Sequence, residues 1–137
     1  MRVTVFAMCC SLATVASAGS PATVETVLRS STTIADQPIS LPQGPVEVTA
    51  SIFTIEPGAS LPIHRHPFPR YGYVLAGELT VSNSETGKST RFREGEFIIE
   101  SVAQWHRGAN TGASPLKLLV IDQAPPGAKT TEVSTTQ

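Results

Sequence analysis

Short apolar runs alternate with turn residues along the chain, and no segment sustains the spacing of an amphipathic helix. The clearest run, Val46 to Ile55 (VEVTASIFTI), is β-branched and alternating, which predicts a half-buried strand ended by Glu56-Pro57-Gly58. A loop punctuated by Pro62, Pro67 and Pro69 follows. Tyr71 to Leu75 and Leu79 to Ser82 predict two short strands around Gly77, and Thr90 to Arg93 returns after a turn at Thr86-Gly87. Glu94-Gly95 turns the chain into Phe97-Ile98-Ile99, and Leu116 to Ile121 is a continuous apolar run suited to a sheet core. A further short strand is expected near Val24 to Leu28. Many short strands at turn-limited spacing suit an all-β sandwich or jelly-roll barrel, in which closure protects strand edges.

The ends of the chain follow a different pattern. Arg2, the mostly apolar stretch Val3 to Val15, and Ala16-Ser17-Ala18 match a secretory signal peptide over residues 1–18. The stretch is shorter than the roughly 20 residues that a membrane-spanning helix needs. Cleavage after Ala18 would remove Cys9 and Cys10, leaving a mature chain with no disulfide and no thiolate ligand. A periplasmic or secreted location is therefore expected, with no membrane association in the mature form. Residues 19–45, rich in Ser, Thr and Pro, form an N-terminal extension to a barrel over residues 46–122. Residues 123–137 have few apolar positions and are expected to be a mobile tail.

Composition narrows the function classes. The 137 residues are 40% hydrophobic and 15% charged, with a formal net charge of −1. The apolar fraction supports one folded domain, and the absence of a basic excess argues against a nucleic-acid partner. Eleven prolines and ten glycines agree with a turn-rich fold. Neither a Gly-x-Ser-x-Gly elbow nor a phosphate-cradling glycine loop is present.

The candidate chemistry lies in the only three histidines, His64, His66 and His106. On an extended segment His64 and His66 project to the same side, so both imidazoles can reach one metal ion. His106 from a distant segment would complete a face of three neutral nitrogen ligands suited to Fe(II), Mn(II), Ni(II), Cu(II) or Zn(II). Hydrogen-bonded core histidines are the alternative reading of the same residues.

Glycines frame these histidines at fixed intervals. Gly58, five residues, His64, one residue, His66 and then Gly77 reproduce the first motif of the cupin family. Gly95, five residues, Ser101, Ala103, His106 and Asn110 reproduce the spacing of the second, with Ser101 and Ala103 where the family usually has Pro and Gly. The chain resembles cupins over roughly residues 46 to 121, including the string YVLAGELTV, and also resembles small secreted cupin-domain proteins carrying PRYGYVLAG and QWHRGAN. The resemblance implies an all-β double-stranded β-helix (jelly-roll) barrel, a homodimer, and one divalent metal, iron or manganese ahead of zinc, nickel or copper, on His64, His66 and His106.

One position departs from the family pattern. Cupins commonly supply a metal-binding Glu four residues after the second motif histidine, and here that residue is Arg70. A guanidinium cannot ligate a metal. Two positive centres about 5 Å apart repel by roughly 3 kcal/mol per unit charge at an effective dielectric near 20. Arg70 therefore needs an anion nearby: a substrate carboxylate or phosphate, or a protein carboxylate such as Glu100 or Glu78. In one reading Arg70 clamps an anionic small-molecule substrate of a dioxygenase-like or isomerase-like enzyme. In the other it forms a salt bridge in a cupin that has lost its metal. Gln104, two residues before His106, is a further candidate for substrate binding or for supporting a ligand. A non-enzymatic module that captures a small molecule or a metal in the barrel mouth is the competing function.

Overall fold

The computed structural model describes residues 22–135. The expected leader over residues 1–18 lies outside them. Nine strands make up the regular structure of the described residues: β1 Glu47–Ile55, β2 His64–Arg65, β3 Arg70–Ala76, β4 Glu78–Asn83, β5 Ser89–Arg93, β6 Phe97–Ile99, β7 His106–Asn110, β8 Leu116–Ala124 and β9 Glu132–Val133. They form two antiparallel sheets, ordered β1-β8-β3-β6 and β5-β4-β7-β2-β9. This is an all-β jelly roll, as the spacing of turns and strands implies.

Alternation along the strands builds the core. Leu116, Leu118 and Val120 of β8 are buried, as are Leu79 and Val81 of β4, and they meet Ile55, Val74, Phe92 and Ile98 between the sheets. The continuous apolar run in β8 thus has two fates, because Leu119 and Ile121 lie on the opposite parity and stay half-exposed. Gly77, between β3 and β4, has φ of +85°, and a Cβ there would stand 2.9 Å from the Leu116 backbone. Only glycine combines that conformation with that approach.

The same alternation places polar groups at one end. On the inner parity of β3 and β8, Val74 pairs with Leu118, Gly72 with Val120, and Arg70 with Asp122. On the facing sheet Leu79 pairs with Asn110, Val81 with Gly108, and Asn83 with His106. Both inner faces therefore run from apolar to ionisable toward the same mouth.

Several expectations are revised here. Residues 24–28 form no strand; regular pairing before β1 is limited to a bridge between Thr32 and Pro38, and Val24 is 95% exposed with no sheet to receive it. The segment expected to be a mobile tail is placed otherwise: β8 runs on to Ala124, and β9 pairs with β2, matching His64 with Val133 and Arg65 with Glu132. Few apolar side chains signal this return, because backbone pairing and polar contacts hold it. The N-terminal extension is docked through Ile34 N–H to the Ile99 carbonyl, and Gln37 exchanges hydrogen bonds with the Val102 backbone.

Candidate metal centre

His64 on β2 is the direct cross-strand neighbour of His106 on β7. His66, two residues on, joins them through a parallel bridge to Val102. The three ring centroids lie 4.6 to 4.9 Å apart, and all three side chains are buried. The clustering expected of His64, His66 and His106 is therefore present. A fourth group completes it: Glu100, just after β6, lies with its Oε2 2.9 Å from His106 Nε2 and 3.2 Å from His66 Nε2. One ligand atom from each of the four falls within 4.8 Å of the others.

The orientation of the rings is set from behind. The Nδ1 atoms of His64, His66 and His106 lie 2.7, 3.1 and 2.9 Å from the carbonyl oxygens of Pro62, Thr130 and Gln104. A carbonyl only accepts, so each Nδ1 carries a proton and turns Nε2 toward the cluster, where it can ligate a metal ion or, when it is protonated as well, donate to Glu100. Backbone support of this kind fixes the tautomer and ring plane of metal-binding histidines. Three imidazoles held in one tautomer around one carboxylate make a donor set that fits a divalent transition ion.

The electrostatics agree with that design. Burial pushes the His64 pKa down to about 4; its hydrogen bond to Pro62 opposes this, and the charges of His106 and His66 add to it. Burial alone would raise the Glu100 pKa, but hydrogen bonds from His106 and His66 hold the carboxyl well below the usual carboxylate range. For His106, burial disfavours the charged form, yet the hydrogen bond and charge of Glu100 outweigh it and raise the pKa. The cluster thus keeps a carboxylate ionised in the interior and attracts positive charge to its side.

Arg70 is buried beside this cluster, and its counter-ion is Asp122. Its Nε and Nη2 donate to the two Asp122 carboxylate oxygens at 2.7 and 2.9 Å, and Nη2 also reaches Thr131 Oγ1 at 2.9 Å. This pairing answers the need for an anion from within the chain. Glu78, one of the two carboxylates anticipated for that role, instead meets Thr111 and Arg91. The remaining terminal nitrogen, Nη1, lies 3.4 Å from His66 Nε2, so Arg70 has a donor directed at the edge of the cluster. Gln104 contributes its backbone to His106, while its side chain accepts a hydrogen bond from Asn83 at 2.8 Å. A cavity of about 130 Å³ opens beside His64 and Arg70, lined by Phe53, Leu61, Pro62, Thr131 and Val133.

Glu100 and Asp122 are the site residues that motif spacing does not reveal. Strand parity does carry a signal for both. Glu100 shares parity with buried Ile98, and Asp122 continues the inward row Leu116, Leu118, Val120. An acid on the core side of a strand needs a buried partner.

A family model described as Cupin domain matches residues 51–122, and the chain belongs to that family. A search of curated proteins returned no match. Among solved structures the chain is similar to Lactobacillus farciminis oxalate decarboxylase in a formate complex, with 24% identity and a TM-score of 0.54 over 63% of this chain and 26% of that one. It is similar to an oxalate oxidase in complex with the substrate analogue glycolate, with 26% identity and a TM-score of 0.53 over 63% of this chain and 45% of that one. A double-stranded β-helix protein from Klebsiella pneumoniae gives 24% identity and a TM-score of 0.53, over 64% of this chain and 70% of that one. The chain thus spans about a quarter of the decarboxylase and less than half of the oxidase.

Proposed function

We propose that this protein is a metal-dependent cupin enzyme acting on a small organic carboxylate. One divalent ion, iron or manganese, is held by His64, His66, Glu100 and His106. The observation that carries this reading is the convergence of four buried donors whose imidazoles are all fixed through Nδ1. Adding a carboxylate to three imidazoles favours harder ions such as Mn(II) and Fe(II) over a thiophilic site. Bound there, the ion would supply Lewis acidity and one-electron chemistry.

The chain's own residues then define the substrate. The cavity of about 130 Å³ has room for only a few heavy atoms. Arg70 Nη1 donates toward an anionic oxygen at the cluster's edge, while Asp122 balances the guanidinium charge so that a cation can sit nearby. Phe53 and Leu61 supply an apolar wall beside that oxygen. The glycolate bound by the similar oxalate oxidase is an acid of this size. Export through the 1–18 leader and pairing with a second copy complete the reading.

Metal content is the test. The untagged protein, purified without chelator, is expected to carry near-stoichiometric iron or manganese by elemental mass spectrometry. Glu100→Gln and His106→Ala are each expected to lose most of it. No metal in the parent protein after reconstitution would refute the reading. Oxygen uptake and carbon dioxide release with oxalate and glycolate then separate an enzyme from a module that binds without turnover; stabilisation by the acid with no product would favour the module.

A further inference from the structure

The chain crosses the mouth of the barrel after β8. Pro125, Pro126 and Gly127 (φ +73°) make the turn, closed by Ala128 N–H to the Pro125 carbonyl. The following residues contact the site at successive positions. The Thr130 carbonyl accepts from His66 Nδ1 at 3.1 Å, and the Thr131 hydroxyl accepts from Arg70 Nη2 at 2.9 Å. Glu132 is paired with Arg65 at 2.7 Å, and the Arg65 guanidinium stacks 4.6 Å above the Trp105 ring. Val133 pairs with His64 and walls the cavity, and Ser134 N–H donates to the Ile63 carbonyl. Alternation accounts for the division of labour: contacts to the site alternate with an anchor on the outer surface of β2.

We propose that residues 129–134 are a positioning strap for the metal centre: the Thr130 carbonyl sets the tautomer of His66, and the Thr131 hydroxyl holds Arg70 with Nη1 directed at the cluster. The inference rests on the metal-centre reading and deepens it. Of the three histidines, His64 and His106 take their carbonyl from the residue two before them, whereas His66 depends on one 64 residues away in sequence. His66 is thus the ligand whose geometry the strap controls. Thr131 complements Asp122: the carboxylate fixes the plane of the guanidinium, and the hydroxyl occupies the second hydrogen of Nη2, so that only Nη1 is left for a ligand.

Two variants and one control test this. The parent protein is titrated with Co(II), followed by visible absorption, and formate is then added to the loaded protein as a small carboxylate probe. A chain ending at Ala128 is expected to bind Co(II) about 10- to 100-fold more weakly, with an altered absorption envelope, as loss of outer support for a metal ligand does. Thr131→Val leaves the strap in place and is expected to bind Co(II) as the parent does but formate about tenfold more weakly, since Arg70 loses one charged hydrogen bond. Thr131→Ser is expected to restore formate affinity, which a merely structural role would not require. The proposal is overturned if the folded shortened chain keeps the parent's Co(II) affinity and spectrum, or if Thr131→Val binds formate like the parent; the second arm decides even if the shortened chain does not fold. A parent protein that binds no Co(II) would instead remove the metal-centre reading, and the strap's role with it.

Discussion

His64 is the histidine that the fold holds most firmly neutral, with its pKa at about 4 against an ordinary 6.5. Below pH 6.5 the unfolded chain takes up a proton that the folded site refuses, so stability falls until the pH reaches the folded value. His106 acts in the opposite sense: its raised pKa gives a contribution that grows as pH falls toward 6.5 and is complete below it, whereas the lowered pKa of Glu100 gives one that is lost only below the ordinary carboxylate range. Between pH 7 and pH 5, His64 alone is therefore expected to cost the chelator-stripped protein about 2 kcal/mol, part of which His106 returns. Denaturant melts at both pH values check this, and His64→Gln should flatten the difference. A parent that responds to pH as His64→Gln does would mean that His64 is not held neutral.

At the scale of elements, the turn between β6 and β7 carries most of the second motif. Ala103 has φ of +58°, the left-handed region, at the position where the family usually has Gly. Its N–H nevertheless donates to the His66 carbonyl at 2.8 Å, so the turn keeps its shape and ties the two motifs together. The left-handed conformation costs a residue with a Cβ about 1 kcal/mol or more. Ala103→Gly is expected to raise stability by a few tenths to about 1 kcal/mol without changing metal content, as thermal unfolding and elemental analysis would show. Asn110 closes the other end of β7, donating to the carbonyls of Ile55 and Ser114 and accepting from Gly112 N–H.

For the whole molecule, the outer face of the β1-β8-β3-β6 sheet bears on assembly. One row across it reads Ile52, Leu119, Tyr73, Phe97, and the next reads Ala50, Ile121, Tyr71, Ile99. Val48, Ile52 and Leu75 stand exposed on it. An apolar face of this kind suits an interaction site, and a two-fold contact with a second copy would lay uncharged rows on uncharged rows. Light scattering is expected to give twice the mass of one chain, and Ile52→Glu to halve it while metal content is kept. A parent mass equal to one chain would dismiss the dimer.

The sequence by itself determined the strands that alternation and turns delimit, β1, β3 to β6 and β8, and the histidine framework of the centre. Local period and motif spacing are properties of neighbours in the chain, and these features depend on little else. It did not reveal β2, β7 or β9, which are short or rich in Gly, Arg and His and become strands because partners present hydrogen-bonding edges to them. Nor did it supply the fourth donor. Arg70 stands where the family carries its carboxylate, and only the tertiary structure brings Glu100 to the histidines and Asp122 to Arg70. Which acid meets which base depends on strand register across two sheets, and register is decided by packing the whole barrel at once.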